Sequence, residues 1–308
     1  MKKVFIDGSA GTTGLRIYER LEKRTDVTLL TLPDDKRKDT AERKKMLNDA
    51  DIVFLCLPDD ASREAVSLID NPQTVVIDAS TAHRTVSGWA YGFPELSKKH
   101  ETAVKTGKRI AVPGCHASGF IALVYPLIEA GVLDKDVLLT CHSVTGYSGG
   151  GKKMIAEYQD ENRNGLLDAP RQYALSQQHK HLKEMVAVCG LNNAPIFCPI
   201  VADFYSGMHV TVPLFQSQIH GSIDDIKAIY KAKYNTQFVC YQDSVDEGGF
   251  VSGVANANKD GMKIAVYGND ERILLTAVYD NLGKGASGAG IECMNLALGV
   301  DPQCGLSL

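Results

Sequence analysis

Val4-Phe5-Ile6-Asp7-Gly8-Ser9-Ala10-Gly11-Thr12-Thr13-Gly14 opens the chain with a short apolar run and a glycine-rich loop. A helical stretch follows at once, with Leu15, Tyr18 and Leu21 on one face. The loop has the spacing G-x-x-G-x-x-G, one residue away from the familiar G-x-G-x-x-G. Glycines let a backbone come close to a pyrophosphate, and the free N–H groups of a helix start attract its charge. Gly8, Ser9, Ala10, Gly11, Thr12, Thr13 and Gly14 are therefore read as a dinucleotide loop, against the plainer reading of a tight strand-to-helix turn.

Working outward from that loop, apolar runs alternate with helical ones. Val27 to Leu32 reads as a strand, Thr40 to Leu47 as a charged helix, Ile52 to Leu57 as a fully apolar strand and Ala61 to Ile69 as a helix. Val75 to Ile77 and Ile110 to Val112 are further apolar strands. Continuous apolar strands between helices indicate a parallel sheet covered on both faces. The class is α/β, with a Rossmann-like doubly wound sheet. Beyond the helix expected over Ala117 to Ala130, the pattern changes. Strands are expected at Val137 to Val144, His209 to Leu214, Lys263 to Tyr267 and Ile273 to Tyr279. The last two flank the turn Gly268-Asn269-Asp270-Glu271, so this block is α+β with antiparallel character. Gly285 to Leu298 reads as a closing helix with small residues on one face. The expected organisation is a dinucleotide domain over 1–114, rejoined by 285–308, and a second domain over 115–284.

An NAD site usually ends its second strand on an acidic residue that holds the ribose. Here the strand runs into Pro33-Asp34-Asp35-Lys36-Arg37-Lys38. Lys36 and Arg37 suit a 2′-phosphate, which favours NADP; the plainer alternative is a solvated charged loop. Leu57 and Pro58, after the third strand, are expected on the nicotinamide side of the crevice.

The bulk numbers exclude several classes. At 308 residues, 44% hydrophobic and 23% charged, the composition is that of an ordinary globular protein. The net charge of −4, with both signs well mixed, carries no basic stripe for nucleic acid. No apolar run is long enough for a membrane helix and the start carries no signal-peptide pattern, so a cytoplasmic protein is expected. Eight cysteines are scattered with no C-x-x-C pair, which argues against a disulfide framework and against zinc.

One cysteine stands apart. In Pro113-Gly114-Cys115-His116-Ala117-Ser118 a thiol follows an apolar strand and starts a helix, where N–H groups and the helix dipole favour a thiolate. The same N–H groups suit an oxyanion formed when the thiolate attacks a carbonyl. Cys115 is the candidate nucleophile, whereas cysteines such as Cys56 and Cys141 lie in apolar strands. His179-Lys180-His181 supplies two candidate proton-handling groups, and Glu184 lies three residues beyond His181, at a spacing that lets a carboxylate orient the ring. His116 adjoins Cys115 in sequence and is expected to point away. His142 and His209 are read as strand residues without a role. Gly146-Tyr147-Ser148-Gly149-Gly150-Gly151-Lys152-Lys153 approaches a phosphate loop, but Lys153 stands where the Mg²⁺-binding hydroxyl belongs. Ser148, Gly149 and Lys152 are instead read as a substrate-binding loop.

These segments together resemble the short form of the N-acetyl-γ-glutamyl-phosphate reductase family. The resemblance spans nearly the whole chain. It is carried by Phe5 to Gly14, Asp78-Ala79-Ser80-Thr81-Ala82-His83-Arg84, Tyr91-Gly92-Phe93-Pro94-Glu95-Leu96, Pro113 to Ala117, Val144 to Gly151, His179-Lys180-His181-Leu182 and Lys284-Gly285-Ala286-Ser287-Gly288-Ala289. It implies a semialdehyde-dehydrogenase-like architecture, with an NADP domain and a catalytic and oligomerisation domain that forms a homo-dimer or tetramer. It also implies Cys115 as nucleophile, one of His179 and His181 as acid/base, and Ser80 and Arg84 near cofactor and substrate phosphate. Gly285 and Ser287 would approach the nicotinamide, and Arg84 and Lys152 would anchor the anionic groups of the substrate. The implied reaction is NADPH-dependent reduction of an acyl phosphate to an aldehyde through a thioester, in arginine biosynthesis. The chain departs from the family at Lys183, where proline is usual. The nearest alternative is an aspartate-semialdehyde dehydrogenase; one of another class is a non-enzymatic NADP-binding regulator.

Overall fold

The computed structural model describes residues 1–308, which divide into two compact units. One comprises Met1–Pro113 with Ala286–Leu306, and the other Gly114–Gly285 with Ser307–Leu308.

The first unit is the parallel sheet expected from the apolar runs. Its strands are β1 (Lys2–Asp7), β2 (Val27–Leu30), β3 (Ile52–Leu55), β4 (Val75–Asp78), β5 (Ala90–Tyr91) and β6 (Arg109–Ala111). They lie in the order β2-β1-β3-β4-β6-β5, all pairs parallel. Strand side chains alternate between faces, and here both faces are buried. Val4, Ile6, Ile52, Phe54, Val75 and Ile77 enter one core, which the C-terminal helix Gly288–Leu298 completes with Ala289, Ile291 and Met294. Phe5, Val53, Leu55 and Val76 enter the other, with Leu47 and Ala65. Those two come from the helices α2 (Thr40–Asp49) and α3 (Asp59–Ser67), which follow α1 (Thr12–Leu21) in the chain. A fourth helix, α4, spans Lys98–Thr106. Strand order reverses between β1 and β3, so the loop after β1 lies at a switch point, where open α/β sheets hold their ligands.

The second unit begins with α5 (Cys115–Glu129), β7 (Thr140–Gly146), α6 (Gly151–Gln159), β8 (Arg171–Gln172) and α7 (His181–Cys189). It continues with β9 (Ile196–Ala202), β10 (Met208–Phe215), α8 (Ile223–Lys233), β11 (Val239–Tyr241), β12 (Met262–Gly268) and β13 (Arg272–Tyr279). Seven strands form a mixed sheet in the order β11-β12-β13-β10-β7-β9-β8. The β12–β13 hairpin closes on Gly268 and Ile273, as the turn sequence predicts. Met208, Val210, Val212 and Leu214 alternate into the core along β10. Helix α5 packs on β10, β13, α7 and α8 with its residues Ala117 to Val124 all buried. The sheet lies against α5, whose first residue is Cys115. No helix is long and apolar enough to cross a membrane.

Candidate functional site

The glycine loop of the first unit is built to sit close to its own framework. Gly8 has φ +88°, and a Cβ there would fall 2.3 Å from the Cys56 carbonyl oxygen at the end of β3. A Cβ on Gly14 would fall 2.4 Å from the Gly8 oxygen. Both positions exclude any side chain. Gly11 caps α1 without a side-chain hydrogen bond, and Thr12 carries a buried hydroxyl with no partner. An uncapped helix start beside an unpaired buried hydroxyl is a polar cradle that a dinucleotide pyrophosphate fits.

The other residues assigned to this unit have well-defined settings. Lys36 and Arg37 follow β2 in a short 3₁₀ turn and are exposed; Lys36 pairs with Glu42 at 2.7 Å and Arg37 with Asp34 at 2.7 Å. Leu57 and Pro58 link β3 to α3, with Pro58 as the helix cap. Ser80 donates from both its backbone N–H and its hydroxyl to Asp78, each at 2.8 Å. Asp78 also receives Ser62 Oγ at 2.9 Å and contacts His83 Nδ1 at 2.5 Å. Arg84 is tethered by backbone carbonyls, donating Nε to Val112 O at 2.8 Å and a terminal nitrogen to Ala79 O at 3.1 Å. Ser287, fully buried, precedes the C-terminal helix.

In the second unit Cys115 is the first residue of α5, with Gly114 as an extended cap and no acidic residue in the first turn. The N–H groups of a helix's first turn have no intrahelical partner. Glu184, buried in the first turn of α7, accepts the Gly114 N–H at 2.8 Å. Gly285 lies against Cys115, where an added Cβ would sit 3.0 Å from the cysteine Cβ. Other thiols have inert settings: burial pushes Cys56 up to about 12, and raises Cys141 and Cys189 as well.

The histidines gather beside α5. His179 and His181 have ring centroids 4.6 Å apart, and the His181 backbone N–H donates to His179 Nδ1 at 3.2 Å. In a neutral ring the His179 proton therefore sits on Nε2. His116 does not point away. It is buried, with its ring centroid 5.9 Å from that of His179 and 5.6 Å from that of His181. Its Nδ1 meets Ser143 Oγ and its Nε2 meets the Tyr173 hydroxyl, both at 2.6 Å. Burial, and after it His179, brings the His116 imidazole down to about 3, so the ring is neutral. Tyr173 is held protonated by burial and by Cys115. Sequence reasoning missed His116, Ser143 and Tyr173. Adjacency to Cys115 argued against the first, and only the strand partners of the sheet bring the other two to the site.

The second glycine loop forms a 3₁₀ turn, Tyr147–Gly150, after β7 and leads into α6. Ser148 is buried and its hydroxyl accepts from Asn281 Nδ2 at 3.0 Å. Gly149 lies over the same amide, where a Cβ would be 3.5 Å from Asn281 Nδ2. Lys152 is exposed in the first turn of α6. Lys183, at the departure from the family pattern, is the third residue of α7, counting from the Lys180 cap. Its N–H has no intrahelical partner to lose, so proline and lysine both suit that position.

Residues 3–103 match the family model described as semialdehyde dehydrogenase, NAD binding domain, and residues 115–281 match the semialdehyde dehydrogenase dimerisation domain. N-acetyl-gamma-glutamyl-phosphate reductase 2 of Nostoc sp. is 41% identical, over 99% of this chain and 99% of its own length. The N-acetyl-gamma-glutamyl-phosphate reductase of Mesorhizobium japonicum is 43% identical, over 97% of this chain and 99% of its own. Among solved structures, aspartate semialdehyde dehydrogenase II of Vibrio cholerae superposes with a TM-score of 0.72 at 16% identity, covering 97% of this chain and 98% of that one. At that identity the likeness shows a shared fold. With full-length relatives above 40% identity and both halves matched, the chain belongs to the N-acetyl-γ-glutamyl-phosphate reductase family of semialdehyde dehydrogenases.

Proposed function

We propose that this protein reduces N-acetyl-γ-glutamyl phosphate to N-acetylglutamate 5-semialdehyde with NADPH, releasing phosphate, as a step of arginine biosynthesis. The observation that carries the reading is the setting of Cys115, a thiol on the first turn of a buried helix beside a packed trio of histidines. The cradle of Gly8 to Gly14 suits the pyrophosphate of the dinucleotide, with Lys36 and Arg37 as candidates for the 2′-phosphate. NADPH, when bound, supplies the hydride.

Cys115 gives its proton to the His179/His181 pair and its sulfur attacks the acyl carbon. The carbonyl oxygen gains negative charge as the sulfur–carbon bond forms, and the first-turn N–H groups of α5 stabilise it. Phosphate leaves with the bonding pair, and a thioester remains on Cys115. After reduction the histidine pair returns its proton to the carbonyl oxygen, giving the thiohemiacetal, and takes it back as the cysteine thiolate leaves and the aldehyde is freed. His116 is unsuited to this shuttle because its ring stays neutral. Arg84, Ser148, Gly149 and Lys152 are proposed to hold the substrate's anionic groups. The dimerisation domain matched over 115–281 supports a homo-oligomer, dimer or tetramer. Cytoplasmic placement is part of this reading, since eight scattered cysteines with no C-x-x-C pair suit a reducing compartment.

The test is mass spectrometry of the enzyme mixed with acyl phosphate and no NADPH. An acyl adduct on Cys115, absent in Cys115→Ser, is the expected result. Full turnover by Cys115→Ser would remove the thioester from the mechanism. Turnover of aspartyl phosphate alone would reassign the substrate.

A further inference from the structure

The carbonyl of Cys115 is held from far along the chain. Tyr279 ends β13 and is fully buried. Its hydroxyl donates to Cys115 O at 2.5 Å and accepts from Gly119 N–H at 3.0 Å. In a regular helix those two backbone groups serve each other, four residues apart. Here a phenol oxygen bridges both across the first turn. We propose that Tyr279 is a positioning residue for the nucleophile: its hydroxyl bridge fixes the peptide that carries Cys115 and so aims the sulfur at the first-turn N–H groups.

Three observations support the bridge as a built feature. The first is Gly119. A Cβ there would fall 2.7 Å from the Tyr279 oxygen and 2.7 Å from Val210 Cγ2, so only glycine lets the phenol in. Glycine weakens a helix interior relative to alanine, and α5 carries it at this contact. The second is protonation. Burial first, and Cys115 after it, raise the Tyr279 hydroxyl well above its ordinary value, so it remains a donor throughout the working range. The third is the matching restraint on the other side of Cys115. Glu184 fixes the Gly114 N–H, and the Gly285 backbone closes on the cysteine Cβ. The backbone on both sides of Cys115, at Gly114 N–H and at Cys115 O, is thus tied to side chains from other elements.

Tyr234 provides an internal comparison. It is also buried and also donates to α5, at Ala122 O and 2.7 Å, but two turns away from Cys115. Loss of its hydroxyl removes a phenol–carbonyl bond from the same helix without touching the first turn.

The proposal rests on Cys115 being the nucleophile, and the experiment separates the two ideas because alkylation needs no substrate. The rate of Cys115 alkylation by iodoacetamide is followed against pH in the full-length protein, by mass spectrometry of the Cys115 peptide. Wild type, Tyr279→Phe and Tyr234→Phe are compared. Tyr279→Phe is expected to raise the midpoint of the rate profile by roughly half a unit or more, since a misaimed thiolate loses N–H stabilisation. Its kcat is expected to fall about tenfold or more with KM little changed, as misplacement of a reacting group costs rate. Tyr234→Phe should keep the wild-type profile and kcat. Superimposed profiles for Tyr279→Phe and wild type, with kcat unchanged, would overturn the proposal. Gly119→Ala keeps the hydroxyl but presses a methyl against it, and should reproduce the shift. If Tyr279→Phe does not fold, a wild-type profile in Gly119→Ala overturns the proposal equally. A Cys115 that is unreactive in the wild type would instead count against its role as nucleophile.

Discussion

His116 predicts a specific acid sensitivity of the second unit. Its ring is buried between two hydroxyls and close to two other histidines, and its folded value lies at about 3 against an ordinary 6.5. The folded value is depressed, so the unfolded chain binds the proton first. The contribution to stability is complete above 6.5 and is lost as pH falls from 6.5 towards 3. Each unit of difference is worth about 1.4 kcal/mol, so the loss between pH 7 and pH 5 comes to about 2 kcal/mol. The assay is urea unfolding of wild type and His116→Gln at pH 7, 6 and 5, followed by circular dichroism. His209 is also depressed by burial, but it titrates in both proteins and cancels in the difference. The variant is expected to be less stable at pH 7, because Ser143 and Tyr173 lose their imidazole partner. The gap should then shrink by about 2 kcal/mol at pH 5, since glutamine takes no proton. A gap that stays constant across this range would refute the neutral, buried ring, and with it the exclusion of His116 from proton transfer.

Two further outcomes follow from close contacts. Gly14→Ala places a Cβ 2.4 Å from the Gly8 oxygen, so the loop must move by about 1 Å to restore van der Waals contact; NADPH affinity, read by quenching of its fluorescence, should fall about tenfold or more while Cys115 alkylation is unchanged. Glu184→Ala leaves the Gly114 N–H without its side-chain acceptor, at a cost of about 1–3 kcal/mol and a Tm lower by roughly 2–10 °C, while Glu184→Gln, which keeps an oxygen there, should recover much of it; equal melting of Glu184→Ala and wild type would contradict the contact.

The sequence was most legible where burial is simplest. Strands β1, β3 and β4 read directly as apolar runs because both faces of their sheet enter cores. The glycine loop was legible because Gly8 and Gly14 are required by backbone contacts one strand away, and sequence shows glycine even when it hides the contact. Strand β9 escaped because Pro199 lies within it, and proline removes a ladder donor and argues against a strand. It is paired nonetheless with β7, and Tyr173 reaches the histidines because its N–H bonds Pro199 O at 3.0 Å. The helix over Ile223–Lys233 carries a capping box at Ser222 and Asp225, a signal for its start that is local in sequence.

The proposed nucleophile and its supports differ in kind. Cys115 announces itself locally, through proline, glycine and the start of an apolar helix. Its supports are tertiary. Nothing in Ala277-Val278-Tyr279 marks a tyrosine aimed at a helix 164 residues earlier. What the sequence does show is the complement, a glycine at 119 inside an otherwise apolar helix. Such a glycine costs about 1 kcal/mol of helix stability, so its presence points to a close approach by something else. His116 turns inward despite its adjacency to Cys115 for a related reason. Neighbours on a helix point about 100° apart, which separates them around the axis but does not send one of them to solvent. On α5, whose surface is buried nearly all round, two adjacent side chains can serve one site from different sides: the thiol at the helix start, and the imidazole against Ser143 and Tyr173. A buried polar residue such as His116 must find partners in the protein, and Ser143 and Tyr173 are those partners beside the proposed nucleophile.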